Sequence, residues 1–522
     1  MRKVLIIVAA AMLLAAGCSG AGTPDSQLDV RTTAGSVKGT ENGAVRLFQG
    51  LPYAQPPVGA LRWASPRPPQ PWQGTRAADK PGNRCPQAAD SPGGKPSLDE
   101  DCLYLNVTTP ARPGSTRPVM VWLHGGDGTG AGADYDTARL ADQGDAVVVT
   151  VNYRIGALGN FALPQLGDNA SFGTQDQLQA LRWVKENAAA FGGDPGNVTV
   201  FGESSGAFAT CALISSPQAK GLVERAIMES SSCSAYFAKN ALAPGLGRHT
   251  LFTPLADAQA AGSAAAAKFG CDQDPDVLAC LRRVPVRQWL DGGYTEVFTA
   301  TPWGTSVLPG SPETAMRERR TLPIPVLFGS NQDELRLYVA AATAGGLKFD
   351  QPTYAGLLAD TYGAASAAKI TAAYPAQGPF AAALSWAAAT TDDGWGCPTA
   401  TDAQALASAG RPVYTYYFAD RDAPPIPGYA VPPGFPLGAA HGLEMGYLFW
   451  DPKGTAPQQT LSRTMIGYWT NFARTGDPNG AGLPPWPNFS AGARVQRLTP
   501  DQVGPIDPQV QSKCSLWRQV GV

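Results

Sequence analysis

The 522-residue sequence predicts an α/β fold: a large, mostly parallel central sheet with helices on both faces and an antiparallel N-terminal edge. Three observations carry that expectation. Short apolar runs of β-branched and aromatic residues recur along the chain, VMVWL (119–123), VVVTV (147–151), VTVFG (198–202), IPVLFG (324–329) and VYTYYF (413–418), and such runs suit strands buried on both faces. Amphipathic stretches lie between them. In the clearest, TQDQLQALRWVKENAAAF, Leu178, Leu181, Val184 and Ala188 repeat at helical spacing, and strands alternating with helices wind into a parallel sheet. Near the start, SVKGTENGAVRLFQG sets Asn42 and Gly43 between two short strand-like runs, the signature of a tight hairpin and hence of an antiparallel edge.

Before the first strand, the chain opens with Met1, Arg2 and Lys3 and runs uncharged and mostly apolar from Val4 to Ala16. That pattern is a secretory signal over 1–17, too short in its apolar run to serve as a permanent span. Ala15, Ala16, Gly17 and Cys18 resemble the lipobox of bacterial lipoproteins, in which the cysteine becomes the lipidated first residue. The expected location is therefore the cell envelope, lipid-anchored through Cys18 to the outer face of the membrane, with ordinary cleavage and a soluble secreted protein as the alternative. Residues 18–27 read as a flexible tether, and 28–522, without internal repeats or low-complexity breaks, as a single domain with insertions.

Eight further cysteines, an even number in an exported chain, are expected to pair. Proximity joins Cys85 with Cys102 and Cys271 with Cys280, leaving Cys211, Cys233, Cys397 and Cys514 for two more. With 40 basic and 42 acidic residues and a net charge of -2, nothing marks nucleic acid as a partner. Toward the C-terminus, TLSRTMIGYWTNFARTGDP lines Leu461, Met465, Tyr468 and Phe472 along one helix side and stops at Gly476 and Pro478, a pattern of core packing.

The chemistry concentrates in NVTVFGESSGAFATCALI, where a β-branched strand runs into a glycine-flanked serine and then a helix-compatible run. A strand, sharp turn and helix force Ser204 into a strained conformation that projects its hydroxyl, and the helix start supplies amide donors. A neutral serine needs a base, most often histidine. Of the three histidines, His124 precedes the glycine loop HGGDG and His249 lies in a polar stretch with no acidic neighbour. His441 follows small residues in GFPLGAAHGLEMGYLFW. The acid that would orient it belongs on the loop after a strand, and IPVLFGSNQDELRLY offers Asp333 and Glu334 side by side. Serine, acid, histidine is the chain order of the α/β-hydrolases.

Taken with FQGLPYAQPPVGALRW, DEDCLYLNV, VVVTVNYRIGALGNF, FGGDPGNVTVFGESSG and YWTNFARTGDPN, these features resemble the type B carboxylesterases, the family of bacterial esterases and cholinesterases, across nearly all of the mature chain. The resemblance implies an α/β-hydrolase fold with Ser204 as nucleophile, His441 as base and Glu334 rather than Asp333 as acid. It implies an oxyanion hole built from Gly125, Gly126, Asp127 and Ser205, with amides of the last three as donors. It supports pairing Cys85 with Cys102, Cys271 with Cys280 and Cys397 with Cys514, which leaves Cys211 with Cys233.

The family's loop reads HGGG or HGGA, whereas this one reads HGGDGTGAG. The Asp127 amide survives, but a carboxylate about 5 Å from the oxyanion would repel it by roughly 3 kcal/mol at an effective dielectric near 20. That side chain therefore points to solvent, slows ordinary ester hydrolysis, or serves as an extra base for water. The loop between Cys85 and Cys102 lacks the aromatic residue with which cholinesterases stack a quaternary ammonium, an argument against choline esters. Glu203 matches the family beside the nucleophile, and Tyr236 and Phe237 fall where it builds part of an acyl pocket. The expected activity is a serine carboxylic-ester hydrolase acting through a covalent acyl-enzyme on uncharged esters of small to medium size, with no metal and no cofactor. A catalytically silent surface binding protein of the same fold and a lipase for longer chains are the alternatives.

Overall fold

The computed structural model describes residues 27–88, 95–114, 116–126, 128–425, 430–492, 494–507 and 512–521. The leader, Cys18, all but the last residue of the tether, and Asp127 lie outside them. Among the described residues, eleven strands make the main sheet: β1 (Thr40–Asn42), β2 (Val45–Pro52), β3 (Tyr104–Pro110), β4 (Arg117–Leu123), β5 (Val147–Val151), β6 (Gly193–Glu203), β7 (Arg225–Glu229), β8 (Val326–Asn331), β9 (Val413–Phe418), β10 (Val495–Leu498) and β11 (Val503–Ile506). Their order across the sheet is β11-β10-β9-β8-β7-β6-β4-β5-β3-β2-β1. From β5 to β10 every pairing is parallel. The edges β1-β2-β3-β5 and β10-β11 are antiparallel.

The apolar runs become strands because both faces of the sheet are covered, so alternate residues enter different cores. Val119, Val121 and Leu123 of β4 pack in one core with Leu178, Leu181 and Val184 of helix α1 (Phe172–Asn187). Met120 and Trp122 face the other. Helix α2 (Ser205–Ser215) follows β6 directly, and α3 (Cys397–Ser408) precedes β9. The long helix α4 (Ala456–Thr475) sets Leu461, Met465, Tyr468 and Phe472 into the second core and ends at Gly476.

Several strands were not among the runs expected from the sequence. β7, Arg-Ala-Ile-Met-Glu, carries an ionisable residue at each end, and the buried Glu229 accepts a hydrogen bond from Trp469 at 2.9 Å. β3 reads as a polar stretch, yet β2 and β5 bond it on both sides. The pair β10 and β11 adds a second antiparallel edge, and a three-stranded sheet, including Asp29–Arg31, stands apart from the main one.

Disulfides join Cys85 to Cys102, Cys211 to Cys233, Cys271 to Cys280 and Cys397 to Cys514. The second ties α2 to the segment leaving β7, bracing the turn that carries Ser204. Four such bonds belong to an oxidising, extracytoplasmic setting. Among the described residues no helix is long and apolar enough to cross a membrane.

Candidate active site

Ser204 stands between β6 and α2 with φ 55° and ψ -124°, a strained conformation for a residue with a Cβ, costing on the order of 1–3 kcal/mol. The turn is held from below, since the Ser204 N–H donates to the Glu229 carbonyl at 3.0 Å. It is also crowded from the side. A Cβ on Gly206 would lie 2.1 Å from the Leu123 carbonyl oxygen, so only glycine lets the end of β4 pass this close to α2. Because α2 begins at Ser205, that residue's amide has no acceptor within its own helix and faces outward at the positive end of the dipole.

His441 and its carboxylate are brought together by two loops that pair with each other. The Asp333 N–H donates to the Ala439 carbonyl at 2.9 Å and the His441 N–H to the Glu334 carbonyl at 3.3 Å. Glu334 then turns inward: its Oε2 meets His441 Nδ1 at 2.6 Å, while its Oε1 accepts the Asn331 N–H at 2.6 Å. Asp333, the neighbouring candidate, faces the other way, engaged by Arg421 at 3.0 Å and Arg336 at 2.9 Å. The other ring nitrogen points toward the elbow, with Nε2 3.2 Å from Glu203 Oε1, one residue before Ser204. Among the described residues Nε2 has no hydrogen-bond partner.

Around the imidazole lies more acid than the sequence motifs announce. Glu444, three residues after His441, accepts from Ser230 Oγ at 2.5 Å and from Asn331 Nδ2. Burial, then the Glu334 charge, raises its pKa to about 7. Glu229 stands opposite Glu203 in the β6–β7 register; burial, then the Glu444 charge, push its pKa well above the ordinary carboxyl range. For His441, burial alone would favour the neutral ring, but Glu203 and Glu334, with a smaller part from Glu444, outweigh it and raise the pKa.

On the opposite side, a Cβ on Gly125 would sit 3.2 Å from Ser204 Cβ and 2.8 Å from a Glu203 carboxyl oxygen, so the glycine loop lies directly against Ser204. Gly126 follows, and Asp127 lies outside the described residues. His124 is a packed residue: its ring stacks on Tyr153 at 4.4 Å and burial pushes its pKa down to about 4. His249 pairs through its backbone with Phe237, away from Glu334.

Two aromatic rings missed in the sequence flank His441, Trp395 at 5.1 Å and Tyr338 at 5.5 Å. Phe237 packs behind both, at 5.4 and 5.2 Å. Tyr236 is turned aside, its hydroxyl donating to Asp393 at 2.5 Å and its face covered by Arg248.

Comparison with known proteins gives the relatives of this chain. The pattern of the Carboxylesterase family matches residues 26–517. Para-nitrobenzyl esterase of Bacillus subtilis (strain 168) is 33% identical over 94% of this chain and 99% of its own length. Carboxylesterase 3 of Homo sapiens is 33% identical over 94% and 90%, and the medium-chain fatty acyl-CoA hydrolase precursor of Anas platyrhynchos 33% over 98% and 96%. Among solved structures, a thermophilic PNB esterase superposes with a TM-score of 0.75 at 30% identity, covering 94% of this chain and all of that one.

The electrostatics give a direct expectation. An NMR titration of His441 has its midpoint above the ordinary value of about 6.5. Glu203→Gln removes a negative charge facing Nε2, destabilises the imidazolium and moves the midpoint down by about 1 pH unit or more. An unchanged midpoint would show that Glu203 does not act on the ring.

Proposed function

The chain belongs to the carboxylesterase family and is a serine carboxylic-ester hydrolase, and from that premise we propose that Ser204 is its nucleophile, His441 its base and Glu334 the acid that orients the base. The observation that carries the reading is the 2.6 Å contact between Glu334 and His441 Nδ1, which fixes the proton on Nδ1 and leaves Nε2 facing the elbow. Ser204 Oγ attacks the acyl carbon as Nε2 takes its proton. The carbonyl oxygen becomes an oxyanion against the amides of Gly126 and Ser205, where each donor contributes on the order of 3 kcal/mol. Collapse of that intermediate breaks the ester bond, and the alcohol leaves with the proton from Nε2. Water then gives its proton to Nε2, attacks the acyl-enzyme, and frees the acid and Ser204 by the same route. Glu334 and Glu203 both face the imidazolium that forms in each half.

Phe237, Tyr338 and Trp395 offer apolar surface beside the ring, which suits uncharged esters of small to medium size. Export is in keeping with the four disulfides, and the Cys18 motif extends this reading to a lipid-anchored envelope enzyme.

An aryl alkylphosphonate is expected to label Ser204, identified by peptide mass spectrometry, and Ser204→Ala to lose at least roughly 300-fold in kcat/KM; activity kept in that variant would remove the serine from the mechanism. Cys18→Ala is expected to move the activity from the membrane to the soluble fraction, and an unchanged distribution would rule out the anchor.

A further inference from the structure

Beside the glycine loop lies a half-open cavity of about 510 Å3, measured out to its mouth. Gly126 and Ser205 border it, and so does Ala209, four residues after Ser205 and therefore on the same face of α2, about 6 Å further along the helix axis. Ile155, Phe208 and Leu251 add apolar surface. Phe208 is a fixed wall, its ring packed on Phe252 at 5.7 Å and on Trp395 at 6.5 Å. Ala209, by contrast, presents only a half-buried methyl group. The charged residue among the described lining, Arg154, is engaged by Asp176 through Nε at 2.8 Å and Nη2 at 2.7 Å, so its charge is already met within the protein.

We propose that this cavity receives the acyl chain of the ester, and that Ala209 is the position whose small side chain lets a linear chain of medium length pass. This rests on the reading that Ser204 attacks the ester and that Gly126 and Ser205 face the oxyanion. The attacked carbon carries the serine oxygen, the oxyanion, the leaving alcohol and the acyl chain. To take its proton, the leaving oxygen must come within reach of His441 Nε2, which lies 3.2 Å from Glu203. Neither His441 nor Glu203 lines the cavity, so the alcohol departs past another wall. The oxyanion stays with the amides at the border, and the acyl chain is the group left to enter. A hexanoyl chain covers apolar surface of Phe208, Ile155 and Leu251 that an acetyl group leaves bare, and each fully buried methylene is worth about fourfold in kcat/KM.

The test compares aryl acetate with aryl hexanoate in wild type and in Ala209→Trp, which sets an indole across the path. The ratio of kcat/KM, hexanoate over acetate, is taken within each enzyme, so the intrinsic reactivity of the esters cancels between enzymes. In Ala209→Trp that ratio falls about tenfold or more, as expected when two methylenes are left unburied. A second pair, ethyl and hexyl acetate, lengthens the alcohol instead, and its ratio stays within about threefold of wild type. An acyl ratio that does not fall overturns the proposal, and so does a fall in the alcohol ratio in its place, which would give the cavity to the leaving group. Should Ala209→Trp fail to fold or to turn over these esters, wild type labelled with an aryl hexylphosphonate decides by crystallography. A hexyl chain against Ala209 and Leu251 supports the assignment, and one lying against Tyr338 and Trp395 overturns it. Failure of the underlying reading is separate, since it would appear as no acetate hydrolysis by wild type or as phosphonate attached elsewhere than Ser204.

Discussion

The structure turns on one buried contact, the Glu334 carboxylate against the Nδ1 edge of His441 at 2.6 Å. Glu334 is fully buried, and a carboxylate at that depth is tolerable only if its oxygens are paired. Both are: one by the imidazole, the other by the Asn331 amide at the end of β8. The second bond is the architectural one, because it uses a backbone group of the sheet itself as the fixed point from which the histidine is aimed. Asp333 contributes by stabilising the loop from outside, where Arg336 and Arg421 hold it and its carboxylate accepts the Ala439 N–H.

A second constraint lies in how tightly the other half of the site is packed. The Ser204 turn leans on the Glu229 carbonyl below, and close approaches at Gly206 and Gly125 leave no room for side chains. The backbone strain at Ser204 persists because the neighbouring strands over-determine it. β7 has a double task here. Its last carbonyl holds the serine, and its last side chain sets a further buried carboxyl opposite Glu203, where burial and Glu444 raise its pKa. Those acids and the aromatic rings on the far side make the imidazole's surroundings strongly asymmetric, acidic toward the sheet and apolar toward Trp395 and Tyr338.

What could be read from the chain was what local pattern determines. The runs at 119–123, 147–151 and 413–418 became strands because runs rich in β-branched and aromatic residues suit a sheet covered on both sides, and the glycine-flanked serine after such a run announced its own turn. β7 escaped because its ionisable ends find partners far away, Trp469 for Glu229 above all. The choice between Asp333 and Glu334 had no answer in the residues alone, since it is made by Arg421, 88 positions later, drawing one of them outward. Trp395, Tyr338 and Glu444 carry no motif, and only the packing of distant elements sets them beside the site.

The most direct measurement is kcat/KM of Glu334→Gln across the accessible pH range, with denaturant unfolding to establish that the variant is folded. An amide at 334 keeps the shape but offers no charge and favours the wrong tautomer of His441. If the buried carboxylate aims and charges the base, the rate constant falls by about 10^3- to 10^4-fold with little change in stability. A folded variant retaining activity within tenfold of wild type would contradict that role for the contact.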